Sequence, residues 1–132
     1  MHTGSCLCGA VRYEIEGALG RTYYCHCSRC RKASGSAFAA NAVIAPAQFR
    51  ITKGKDLLAS YTAATGARRG FCSICGSPLV ASNGEQMRVR LGSLDTPLDA
   101  PLDMHIFTAS KAEWHCIHDD LPQHEERPGD DG

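Results

Sequence analysis

The residues with the clearest chemical potential are cysteines, and seven of the eight fall into three tight groups. These are Cys6-Leu7-Cys8-Gly9, Cys25-His26-Cys27-Ser28-Arg29-Cys30 and Cys72-Ser73-Ile74-Cys75-Gly76, while Cys116 stands apart. Zinc at a structural site takes four tetrahedral ligands, and thiolates are common among them. Two short cysteine pairs from distant parts of a chain can each supply two vertices, so that the ion pins two segments together. The first and third groups both carry glycine directly after the second cysteine. Glycine there permits a positive φ and a close backbone approach, with amide N–H groups aimed at metal-bound sulfur. The middle group lacks that glycine. This difference pairs Cys6 and Cys8 with Cys72 and Cys75 in one closed site.

Cys25, Cys27 and Cys30 then have three sulfurs within six residues, enough for three corners of a second tetrahedron. The fourth corner is open, or is filled by water, Cys116 or a histidine. A three-ligand zinc with an open position is the usual catalytic arrangement. Three thiolates give a zinc of formal charge −1, a poor source of hydroxide but a Lewis acid that accepts a further soft thiolate. The alternatives for this group are a second structural zinc completed by another residue, or a dithiol redox pair. Cys116 is expected to be an ordinary, partly buried cysteine. His26, lying between two ligands, is expected to point outward. His105, His115, His118 and His124 lack metal-ligand spacing and read as surface or strand histidines. Arg88 and Arg90, and Arg68 and Arg69, read as solvated faces.

The elements that must position these groups are short strands. Val11, Tyr13 and Ile15 alternate with Arg12 and Glu14, and Phe49 and Ile51 alternate with Arg50 and Thr52. Residues 38–44, 57–61, 78–81, 87–91 and 105–108 add further candidates, with Lys53-Gly54-Lys55 as a turn. A short helical turn is expected from Arg29 to Ser34, with Ser28 as N-cap and Gly35 as the stop. Many short strands punctuated by glycine and proline favour a β-rich fold. Residues 1–124 are expected to form one domain, and 125–132 an acidic, flexible tail.

Composition bounds the function. The chain has 14 basic and 14 acidic residues and a formal net charge of zero, which gives no broad positive field for nucleic acid or an anionic membrane. No apolar run approaches the roughly 20 residues of a membrane span. The beginning lacks the pattern of a secretory signal, so a cytoplasmic location is expected. Thiols there stay reduced, and metal ligation is the better reading of the cysteines.

The stretch Gly4-Ser5-Cys6-Leu7-Cys8-Gly9-Ala10-Val11-Arg12-Tyr13 resembles the opening of the glutathione-dependent formaldehyde-activating enzyme family, whose domain also occurs in centromere protein V. The stretch from Cys25 to Gly35 is similar to that family's second motif, and Phe71 to Ser77 to its third. Gly92-Ser93-Leu94-Asp95 and the region around Trp114 and Asp119 to Pro122 also fit. Leu7 replaces a histidine often found between the first two cysteines. The resemblance implies a β-tent type fold of short antiparallel strands. It implies a structural zinc on Cys6, Cys8, Cys72 and Cys75, and a second zinc on Cys25, Cys27 and Cys30 where glutathione binds. The implied activity is that of a carbon–sulfur lyase, joining glutathione to formaldehyde. Two other classes compete: a zinc-dependent module that binds a thiol or a protein without turnover, and a redox protein resembling methionine sulfoxide reductase B. The last needs a separate reactive cysteine, and Cys116 is the spare one.

Overall fold

The computed structural model describes residues 1–84 and 86–128, and within them the chain is mainly β. In chain order the strands are β1 His2–Ser5, β2 Arg12–Ile15, β3 Thr22–Cys25, β4 Ala39–Ile44 and β5 Phe49–Lys53. They continue as β6 Leu58–Thr62, β7 Arg68–Cys72, β8 Pro78–Asn83, β9 Gln86–Arg90 and β10 Met104–Ile106. The helix α1, Ser28–Ser34, follows β3. The chain divides into two compact units, one of Met1–Gly20 with Ala42–Asp99 and one of Arg21–Asn41 with Ala100–Gly132.

In the first unit β1, β2 and β5 form an antiparallel sheet in that order. Alternation along β2 sends Tyr13 and Ile15 inward, and both are almost completely buried. Tyr13 lies opposite Gly4, and a Cβ at Gly4 would stand only 2.6 Å from the Tyr13 ring carbon Cε2. The missing side chain therefore makes room for the ring. The Tyr13 hydroxyl then reaches Ser93 Oγ at 2.6 Å, which satisfies a polar atom inside the apolar cluster. Around these residues pack Val11, Ala42, Ile44, Leu79 and Val89, together with Cys6 and Cys72. Each fully buried Val, Leu or Ile contributes about 1.5–3 kcal/mol, so this cluster is the main apolar store of the unit. Strands β6, β7, β8 and β9 continue antiparallel, each beside the next. The register of β7 on β8 shifts between Gly70 and Phe71, just before the third cysteine group.

The second unit is built on a parallel pair: β10 lies beside β3, with His105 opposite Tyr24 and Ile106 opposite Cys25. A reciprocal clamp fixes the start of this pair. Thr22 N–H donates to the Asp103 carboxylate at 2.9 Å, and Asp103 N–H donates to Thr22 Oγ1 at 3.0 Å. Phe107, at φ 56°, ends β10 by leaving extended backbone. Residues 122–124 run alongside β10: His105 N–H donates to the Pro122 carbonyl and His124 N–H to the His105 carbonyl.

Several boundaries differ from the sequence reading. Cys27, rather than Ser28, caps α1, because its sulfur accepts the Cys30 N–H. Gly35 stops the helix as expected, in the left-handed conformation. Leu57 and Leu91 belong to single 3-10 turns at the ends of β6 and β9, and Thr108 to one after β10. Strands β1, β3 and β7 carry no clear alternating pattern and were not expected. Arg90 is buried, and Arg88 partly so, because the far face of β9 is also covered. The carbonyls of Glu125 and Glu126 accept from Ala109 and Phe107, while the last four residues of the expected acidic tail lie outside the described residues.

Candidate metal centres

The four cysteines of the first and third groups come together in the first unit. Their sulfurs all lie within 4.8 Å of one another. Cys6 Sγ is 3.6 Å from Cys8 Sγ, and Cys8 Sγ is 3.8 Å from Cys72 Sγ. Four sulfurs each about 2.3 Å from a tetrahedral zinc stand about 3.8 Å apart, so this spacing fits a zinc-sized ion. Gly9 and Gly76 both have positive φ, 78° and 80°. Their own N–H groups bond the Cys6 and Cys72 carbonyls, closing each turn. The N–H groups that reach sulfur come from Val11 to Cys6 at 3.2 Å, and from Ile74 and Cys75 to Cys72 at 3.4 and 3.5 Å. Such bonds favour thiolate over thiol.

One residue that the cysteine spacing does not reveal ties the two arms together. Ser77 Oγ accepts the Leu7 N–H at 2.9 Å, which leaves its own proton for Cys75 Sγ at 3.1 Å. The Cys75 thiol is pulled down to about 5, first by this hydroxyl and then by the Ser77 and Cys8 backbone.

The second group comes together in the second unit. The sulfurs of Cys25, Cys27 and Cys30 also lie within 4.8 Å of one another. Cys25 Sγ–H donates to Cys27 Sγ at 3.5 Å, and the Cys30 N–H reaches Cys27 Sγ at 3.3 Å. Hydrogen bonds from Cys25 and Cys30, then the N–H groups of Cys30 and Arg29, hold Cys27 far below the ordinary thiol range. Sharing with Cys27 and Cys30 pushes Cys25 up. The donor set is soft and short-looped, and it fits zinc as well.

Beside this group lies an array of rings. His26 is completely buried, against the expectation that it points outward. The end of β3 turns it inward, where Phe38 and His115 flank its ring at 5.6 and 5.9 Å between centroids. Its Nε2 is 2.8 Å from His105 Nδ1, and His105 Nε2 is 2.9 Å from an Asp119 carboxylate oxygen. Tyr24 stacks on His105 at 4.8 Å. Desolvation lowers the His26 pKa to about 4, with the nearby His105 adding to the effect. The hydrogen bond from His105 lowers that of Asp119. His105 lies on a strand as expected but is buried, and its partners are 79 and 14 residues away in sequence, so no local spacing marks them.

The sequence model described as glutathione-dependent formaldehyde-activating enzyme matches residues 1–110. The chain belongs to that family. An inferred glutathione-dependent formaldehyde-activating enzyme of Halomonas elongata is 28% identical over 121 residues, covering 84% of this chain and 77% of the relative. A crystal structure of a Rhodobacter sphaeroides protein superposes with a TM-score of 0.62 at 29% identity, covering 74% of this chain and 91% of that one.

For a member of this family, the remaining predicted residues fall away from both cysteine groups. Cys116 is exposed, not partly buried, and joins neither group. Leu7, between the first two cysteines, is 88% exposed, so the side chain at that position has no part in holding the arm. Among the described residues, His118 and His124 offer no ligand atom to either group. No helix among those residues is long and apolar enough to cross a membrane.

Proposed function

We propose that the chain is a carbon–sulfur lyase-type enzyme that joins glutathione to formaldehyde. Cys25, Cys27 and Cys30 hold its working zinc, and Cys6, Cys8, Cys72 and Cys75 hold a structural one. The observation that carries the reading is the contrast between the two groups. One offers a full tetrahedral set of sulfurs, and the other a three-sulfur set with a corner to spare. Family membership supports the glutathione and formaldehyde assignment.

Zinc at the three-cysteine group supplies a Lewis acid that keeps a fourth, soft thiolate deprotonated near neutral pH. The reaction balances simply: the glutathione sulfur forms a bond to the formaldehyde carbon, the C=O π pair moves to oxygen, and the thiol proton ends on that oxygen. The product is S-hydroxymethylglutathione. The chain's residues bind and orient the thiol and keep Cys27 as a thiolate. His26, between Cys25 and Cys27 in the chain, packs among the rings of Phe38 and the buried His105, and Tyr24 in turn packs on Phe38.

Native mass spectrometry with added glutathione tests the reading, alongside NMR observation of 13C-formaldehyde and glutathione with and without protein. Two zinc ions, glutathione on the complex and faster adduct formation are expected. Two zinc ions with glutathione bound but no acceleration would make the protein a thiol-binding module. A single zinc would remove the working site.

A further inference from the structure

In the first unit, one face of β6, β7, β8 and β9 is covered at one end and open at the other. Strand pairing places Ser60, Gly70, Val80 and Val89 in one row across the sheet, and Thr62, Arg68, Ser82 and Met87 in the next. The two rows share a face, because positions two apart on a strand point the same way. Val89 is fully buried in the apolar cluster of the unit. Toward Arg68 the cover ends, and a groove of about 280 Å3 opens, lined by Leu58, Ser60, Arg68, Val80, Ser82 and Met87.

Gly70 shapes the floor of this groove. A Cβ there would stand 2.8 Å from Val80 Cγ2 and 3.5 Å from Leu58 Cδ1, so the side chains of both neighbouring strands lie across the bare backbone of the middle one. The floor is therefore aliphatic. Leu58, Val80 and Met87 are each only partly buried, which leaves apolar surface facing the opening. The polar groups beside it carry positive charge. Arg68 is exposed, and its Nη2 donates to Ser60 Oγ at 3.4 Å. That contact is long and uses one of five guanidinium donors. Ser60, accepting there, keeps its own proton to donate. Ser82 lies opposite Arg68 and adds a second hydroxyl. Among the described residues that line the groove, none is acidic.

An aliphatic floor beside a guanidinium and two hydroxyls complements a ligand with an apolar tail and an anionic, planar head. The guanidinium fork matches a carboxylate through two parallel bonds. The volume falls just below the roughly 300–1,000 Å3 of drug-sized sites, which restricts the tail to a short chain. We propose that this groove binds a short-chain aliphatic carboxylate, with the head held by Arg68 and Ser60 and the tail laid on Leu58, Val80 and Met87. None of these residues belongs to either cysteine group, so the site stands apart from the function proposed above.

Methyl 1H–13C correlation spectra of the zinc-loaded protein, titrated with hexanoate at neutral pH, test the site. The Leu58, Val80 and Met87 methyl signals are expected to move saturably with one dissociation constant, while those of the exposed Leu7 stay still. 1-Hexanol has the tail without the charge, and Arg68→Gln removes the charge from an exposed side chain. Each is expected to weaken binding at least about tenfold, the effect of losing a charge-assisted pair. Glu85→Gln, between β8 and β9 in the chain, is expected to bind hexanoate as the native protein does. No saturable shift, equal affinity for hexanol, unchanged affinity in Arg68→Gln, or binding seen only in Glu85→Gln would each overturn the site.

Discussion

The hydroxyl of Ser77 stands 3.1 Å from the sulfur of Cys75 while accepting the N–H of Leu7, so one side chain bridges both arms of the four-cysteine group. Ser77→Ala is therefore expected to weaken zinc at this group by about 10–100-fold, the usual effect of losing a residue that orients a metal ligand. The pH dependence has a definite sign. Cys75 is held at about 5 in the native chain and is already thiolate at neutral pH. In the variant it returns toward the ordinary thiol value of about 8.5 and must shed a proton to bind metal. The deficit against the native protein should be small above about pH 8.5, grow as pH falls, and level off near 5. Chelator competition across that range measures it, and a pH-independent deficit would remove the hydrogen bond as its cause.

Cys75→Ser is expected to lose one zinc and to lower the melting temperature by at least about 10 °C. At this chain length one kcal/mol corresponds to about 3–5 °C, and metal binding at a structural site is folding energy. Cys6 and Cys72 sit inside the apolar cluster of the first unit, so an unfilled site exposes that core to rearrangement. Metal analysis and a thermal melt decide it; full zinc content with an unchanged melt would exclude the site.

Cys27→Ser is expected to behave differently. Its three sulfurs span six residues, and closing so short a loop saves little chain entropy. The variant should lose one zinc and the response to glutathione, with a smaller fall in melting temperature than Cys75→Ser. Equal falls would make both groups structural.

Gly54→Ala is expected to cost about 3 kcal/mol or more, far from either cysteine group in sequence. Gly54 has φ 75°, and a Cβ there would meet the Ala10 carbonyl, 2.9 Å from its carbon and 3.2 Å from Val11 Cα. Backbone cannot swing aside as a side chain can, so strain and overpacking add. Gly35→Ala, at φ 68° with nothing within 4 Å, should cost only about 1–2 kcal/mol. Urea unfolding of the pair compares them; equal costs would mean that the backbone at Ala10 yields.

Cys116→Ser is expected to leave zinc content, glutathione binding and stability unchanged, since Cys116 is exposed and outside both groups. Loss of one zinc in that variant would make it the fourth ligand of the three-cysteine centre.

The sequence disclosed the features whose cause is local. Which cysteine pairs share a group was legible because glycine follows Cys8 and Cys75, and both glycines do take positive φ. Strands β2 and β5 were legible because polar and apolar residues alternate along them. Strand β1 was not, since His2-Thr3-Gly4-Ser5 has no apolar stripe and is held by its register on β2. The inward turn of His26 was hidden for a related reason. Two flanking ligands make it look like a bystander, and the partners that bury it lie on β10 and beyond. The buried alternation of Tyr23 and Cys25 along β3 would itself send His26 to the other face, so its burial follows from the contacts of β10 and not from the strand pattern.

The second unit is discontinuous in the chain, and that orders its assembly in time. During synthesis Cys25, Cys27 and Cys30 leave the ribosome roughly seventy residues before β10, whose pairing with β3 completes their surroundings. The three thiols are together on a short local loop from the start, but His105 and Asp119 arrive only afterwards. A nascent chain thus passes through a period in which its three thiols stand without the His105 and Asp119 that later form the hydrogen-bonded chain behind His26. Completion of β10 is the event that encloses His26, the residue in the middle of that three-cysteine stretch.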